Sequence, residues 1–121
     1  MSITGFIWSN ATDGVRRRCG PGASFGVIDT LEASQSVTVL CFSRGDTESF
    51  TAPDGKTYTS NAWDFVVTSD SDAGGYVADV FVNTGGDITQ QLGAGGSCIV
   101  LRRENGQPNF ANPCNLNPPP G

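Results

Sequence analysis

Ser60-Asn61-Ala62-Trp63-Asp64-Phe65-Val66-Val67, then Gly75-Tyr76-Val77-Ala78-Asp79-Val80-Phe81-Val82-Asn83-Thr84-Gly85, is the part of the sequence that decides the fold. Both runs read as buried β core with aromatic and acidic groups at its edge. Thr, Ser, Val and Asn are abundant through the rest of the chain, while Lys, Glu, Leu and Ala are few, which disfavours long helices. The chain has 121 residues, enough for one domain, and its 16 glycines and 7 prolines fall in no strict repeat. An all-β domain with glycines in its turns follows.

Outward from that stretch, Ile3 to Trp8, Val15 to Cys19, Phe25 to Leu31 and Ser36 to Phe42 each read as a strand, with Gly20-Pro21-Gly22 as a break. Arg44 to Ser60 is a long polar excursion around the hairpin signature Pro53-Asp54-Gly55-Lys56. Ser69 to Gly75 reads as a turn. Tyr76 to Val82 mixes strand with a single helical turn at Val77 to Val80. One more apolar strand is expected at Cys98 to Leu101, and an extended end at residues 117–121. Five to seven short strands separated by turns make a small barrel. The expected organisation is a barrel over residues 1–92 and a Gly-, Asn- and Pro-rich extension over residues 93–121.

The net charge is −5. An acidic domain is poorly suited to nucleic acid, whose phosphates need clustered Lys and Arg. Arg16, Arg17 and Arg18 are consecutive, and on a strand Arg17 faces away from the other two. They read as a solvated strand end with one internal ion pair, or as a grip on an anion. Cys19, Cys41, Cys98 and Cys114 show no C-x-x-C spacing, so neither a zinc ribbon nor a redox motif fits. Two disulfides and an oxidising compartment are expected. Three connectivities are open, and the local one, Cys19–Cys41 with Cys98–Cys114, is the expectation. Met1 to Phe6 lack the basic start and apolar run of an export signal, so the expectation is a secreted or cell-surface protein whose native leader is not visible. No segment approaches the roughly 20 apolar residues of a membrane span.

Several motifs, in order, resemble bacterial SH3-type (SH3b) domains, in the secreted, cysteine-containing branch of actinobacteria and filamentous fungi. Arg18-Cys19-Gly20-Pro21-Gly22-Ala23-Ser24-Phe25 is similar to R-S-G-P-x-x-S-Y. Val27 to Leu31 and Ser36 to Cys41 are similar to the next two strands. Asn61-Ala62-Trp63-Asp64 is similar to N-x-W-D, and Gly75 to Gly85 to G-Y-V-x-D-x-Y-V-x-T-G. The resemblance spans about residues 3 to 90. It implies an SH3-like barrel and a non-catalytic module that holds cell-wall material, peptidoglycan peptide or N-acetylated glycan. Two departures stand out: Phe25 replaces the motif tyrosine, and Arg17 stands where the family has an apolar residue. An inward Arg17 needs a partner or a register shift.

Sugars and peptide backbones are held by ring faces and by acids or amides that exchange hydrogen bonds. The candidate ligand contacts are Tyr76, Trp63, Asp64, Tyr58 and Asp79. Trp63 is read as either half-buried core or platform, and Asp64 as either a turn cap or a contact. Tyr76 is the favoured groove residue, because Gly74 and Gly75 leave room for close approach. Phe25 and Phe81 are assigned to the core. With no histidine in the chain, serine and cysteine nucleophile arrangements are absent. Asp64 with Asp79 or Asp72 is the one carboxyl pair for glycoside hydrolysis, and a barrel this small rarely encloses a cleft, so the chain is read as non-enzymatic. Asp70-Ser71-Asp72 lacks the ligand pattern of a calcium loop. No cofactor and no metal are expected. The expected partner is a cell-wall polymer. The rival reading is a structural subunit of a surface layer or filament, self-associating through strand edges or the tail.

Overall fold

The computed structural model of the chain describes residues 2–69 and 71–98. Seven antiparallel strands form one sheet: β1 Ile3–Ile7, β2 Val15–Arg18, β3 Val27–Leu31, β4 Ser36–Thr51, β5 Thr57–Thr68, β6 Ser71–Ala78 and β7 Val82–Asn83. Their order across the sheet is β3-β2-β6-β5-β4-β1-β7. Among the described residues no ladder joins β3 to β7, so the sheet has two edges and is not hydrogen-bonded into a closed barrel.

The long hairpin β4–β5 is the spine. Ala52 N donates to Lys56 O at 3.0 Å, and Gly55 sits at φ 84°, the left-handed conformation that glycine adopts without strain. Register runs from Phe50↔Tyr58 at the tip to Val39↔Val66 at the base, with an irregularity between Arg44 and Glu48. That irregularity receives the Gly20–Gly22 loop: Asp46 N donates to Pro21 O, and Ala23 N donates to the Asp46 carboxylate.

The turn expected over residues 69–75 is much shorter. Thr68 already pairs with Ser71, and Val66 pairs with Gly75, so both glycines lie inside β6. They make room for the protein's own side chains. A β-carbon on Gly74 meets the Phe65 ring, and one on Gly75 meets Arg17 and Ile28. The helical turn expected at Val77 to Val80 is a 3-10 turn at Asp79–Phe81. A short helix, α1 Ile88–Leu92, follows the last strand. Asp87 caps it by accepting from Thr89 N, and Gly93 ends it at φ 69°.

Apolar side chains gather in two clusters. Val37, Val39, Val66, Val77, Ile7 and Ile88 build the first. Cys41, Trp63, Phe65, Tyr76, Val80 and Cys98 build the second. Phe50 and Phe81, 5.0 Å apart, pack against both.

The disulfide pairing corrects the expectation. Cys41 bonds to Cys98, across a separation of 57 residues, so neither Cys19–Cys41 nor Cys98–Cys114 forms. Proximity in sequence is a poor guide because β4 and the segment after α1 meet face to face: Phe42 and Ser97 form a parallel bridge beside the bond. Cys19 is also disulfide-bonded, to a partner outside the described residues. The bond ties Cys98 to the second core cluster. The expected strand Cys98 to Leu101 and the end at residues 117–121 fall almost wholly outside the described residues.

Arg17 faces inward and is 2% exposed. Its partner is Asp29 on β3: Nε donates to Oδ1 at 2.8 Å, and Nη2 to Oδ2. The β2–β3 register also shifts, between Arg17 and Arg18. Arg16 lies exposed on the opposite face.

Candidate functional site

A pocket of about 640 Å³ lies where the end of β1, the outer half of the hairpin, the 3-10 turn and the loop into α1 converge. Trp8 follows β1, and its backbone N–H donates to Phe81 O at 3.2 Å. The indole Nε1 donates to Val80 O at 3.2 Å, which fixes the ring plane. Tyr58 projects from β5 and stacks on Trp8, with centroids 6.0 Å apart and planes 19° from parallel. Phe6 meets Trp8 edge-on at 6.4 Å. Asn10 Nδ2 donates to Thr51 O at 2.9 Å and ties the loop after Trp8 to the hairpin.

Acidic groups surround this stack. Asp54, in the hairpin turn, accepts from Lys56 N and from the Tyr58 hydroxyl, each at 2.9 Å. Those two bonds, led by the backbone one, lower its pKa. Asp87 accepts from the Thr89 hydroxyl at 2.6 Å and from Thr89 N at 2.9 Å, and these bonds lower its pKa too. Asp79 supplies a third carboxyl to the wall.

Asp79 leads inward to Asp64, which is 0% exposed on β5. Neither Asp64 oxygen receives a hydrogen bond from a protein N–H or hydroxyl, and neither does Asp79 Oδ1. The two carboxyls face each other. Burial first, then the hydrogen bond and charge of Asp79, push the Asp64 pKa well up. Burial raises Asp79 as well, while its bond with Asp64 works to lower it.

The expected contacts divide accordingly. Tyr58 and Asp79 line the pocket. Tyr76, 2% exposed, is core: it packs edge-on against Phe65 at 5.0 Å, and the neighbouring glycines admit that ring and Arg17 in place of a ligand. Trp63, 3% exposed, donates its indole N–H to Asp46 O at 2.9 Å and borders only a smaller recess of about 210 Å³. Asp64 lies behind the wall. Tyr76, Trp63 and Asp64 are buried and stand outside the lining of this pocket.

Trp8, Asp54 and Asp87 are pocket residues that the sequence reading missed. Trp8 ends a strand just before the polar pair Ser9-Asn10, and Asp87 stands three residues before Gln90, the spacing of a helix cap. Neither signal reveals that the two come together. Among the described residues, no three His, Cys, Asp or Glu side chains could hold a metal ion. No helix in that set is long and apolar enough to cross a membrane.

Comparison with known proteins gives two relatives. The chain is 32% identical over 76 residues to the Bacillus subtilis (strain 168) protein YraI, and 34% identical over 76 residues to YraJ of the same strain. Both are described only as uncharacterized, and each match spans 60% of this chain and 60% of the relative's length. No family model matches, and no solved structure does.

Proposed function

We propose that the protein is a non-catalytic, extracellular binding module for cell-wall material, with an SH3-like β architecture. The observation that carries the reading is the Trp8–Tyr58 stack on the wall of a 640 Å³ pocket edged by carboxylates. Ring faces cover the C–H surface of a sugar or peptide, and acids accept its hydroxyl and amide protons. A wall held by a hairpin, a strand end and a capped helix keeps its shape before the ligand arrives, which limits the ordering cost of binding. The disulfide Cys41–Cys98 suits an oxidising compartment. The ordered series of SH3b-like motifs supports the same module.

The test is retention on purified peptidoglycan and on chitin. Wild-type protein should be retained by at least one, and Tyr58→Ala should lose roughly fivefold in affinity, the worth of one exposed ring contact. Equal retention of the variant, with its circular dichroism unchanged, removes the pocket from the account.

The self-assembly reading draws on the sheet edges. β3 is an outermost strand, and Val27 on it is 48% exposed. Light scattering separates the two: large particles together with no wall retention favour assembly.

A further inference from the structure

We infer that the Trp8–Tyr58 pocket selects ligands that carry a free ammonium group. The inference rests on the wall-binding reading and narrows its ligand. Three carboxyl-bearing residues, Asp54, Asp79 and Asp87, reach the pocket from three different elements, and no Lys or Arg lines it among the described residues. Lys56 and Arg44 lie near enough to favour the ionised forms of Asp54 and Asp87, yet both stand outside the lining.

The bonds that hold Asp54 and Asp87 in place do not exhaust them. A carboxylate has about four acceptor positions. The bonds described above use two of these on Asp54 and two on Asp87, the latter both on Oδ1. These spare lone pairs require N–H donors with positive charge to be well matched, and an ammonium has three. The adjacent Trp8–Tyr58 stack favours the same group, because ring faces attract cations. A neutral acetamido group satisfies the rings but leaves the carboxylate charge uncompensated.

Two sources present this chemistry in a wall: a deacetylated amino sugar and the side-chain amine of a diamino acid in a peptide. Isothermal titration at low salt compares a glucosamine trimer with the N-acetylglucosamine trimer, and a lysine-containing tetrapeptide with its Nε-acetyl form. In at least one pair the amine should bind on the order of tenfold tighter, given roughly fourfold per surface carboxylate in a water-like medium. The pair that shows the gap identifies the source. The double variant Asp54→Asn, Asp87→Asn keeps both side-chain acceptors and the helix cap, and should shrink the gap below about twofold. Acetylated ligands binding as tightly as amines overturn the inference, as does a gap that survives in the double variant. If those results come with wild-type retention on intact wall polymer, the wall-binding reading stands. Loss of all retention removes both.

Discussion

Replacing Cys41 and Cys98 by alanine opens a 57-residue loop in the unfolded chain. In the chain-entropy account the stabilisation is a constant plus a term in the logarithm of loop length, which for this separation comes to about 4 kcal/mol. Both sulfurs are buried in the second core cluster, so the truncation also removes packing. A domain of this size has about 5–15 kcal/mol in total. The double variant should therefore melt about 15 °C lower than wild type, on per-residue unfolding entropies. The assay is paired thermal and guanidinium unfolding of wild type and the double alanine variant. A wild-type protein treated with reductant gives a second comparison, which also opens the bond at Cys19. A loss below about 1 kcal/mol in the double variant refutes the stabilisation assigned to the pairing. A free-thiol assay that finds alkylation of Cys41 or Cys98 before reduction refutes the pairing directly.

Other outcomes follow from individual residues. Asp64 has its pKa raised in the fold, so the stability it contributes is present below its unfolded value near 3.8 and is lost as pH rises through the folded value. Melting temperature should fall in wild type as pH rises from the unfolded value near 3.8, and Asp64→Asn should flatten that slope; identical slopes contradict the raised Asp64 pKa. Asp54 and Asp87, whose pKa values are lowered, act in the opposite direction and only as pH falls below about 4, so they do not mask the effect. Gly45→Ala places a β-carbon 1.7 Å from Pro21 O, a backbone atom that cannot swing aside. The Gly20–Gly22 loop must leave the hairpin, at about 2 kcal/mol, read by guanidinium unfolding. Gly55→Ala meets no atom within 4 Å but keeps φ 84°, so its smaller cost of about 1 kcal/mol measures backbone strain alone.

What was legible in the sequence is what short-range chemistry decides. Pro53-Asp54-Gly55-Lys56 specifies its own turn, and the alternation at Val37, Val39 and Cys41 specifies a strand, because both depend on neighbours a few residues away. The inward Arg17 was legible as a demand for a partner, and Asp29 across the β2–β3 ladder meets it. Positions 62–66 are buried without a break, so alternation there carries no signal of which face a ligand sees. Tyr76 for that reason looked like a groove wall and is buried, and Trp63, open between core and platform, is buried too. Trp8 and Tyr58 are fifty positions apart in sequence, and Cys41 and Cys98 are 57 apart. Such meetings are set by sheet order, in which β1 lies beside β4, and sheet order is not written in any local motif. The same holds for Asp64 and Asp79, whose mutual influence depends on the 3-10 turn packing against β5.

The chain has two tryptophans, one in the pocket and one in the core, and each gives its own indole N–H resonance. Titrating soluble wall fragments into 15N-labelled protein therefore tests the central claim most directly. The account predicts that the Trp8 indole signal and the Tyr58 and Asp87 amides shift with ligand, while the Trp63 indole signal and the Tyr76 amide stay in place. Shifts concentrated at Trp63 and Tyr76, or none at saturating ligand, contradict it.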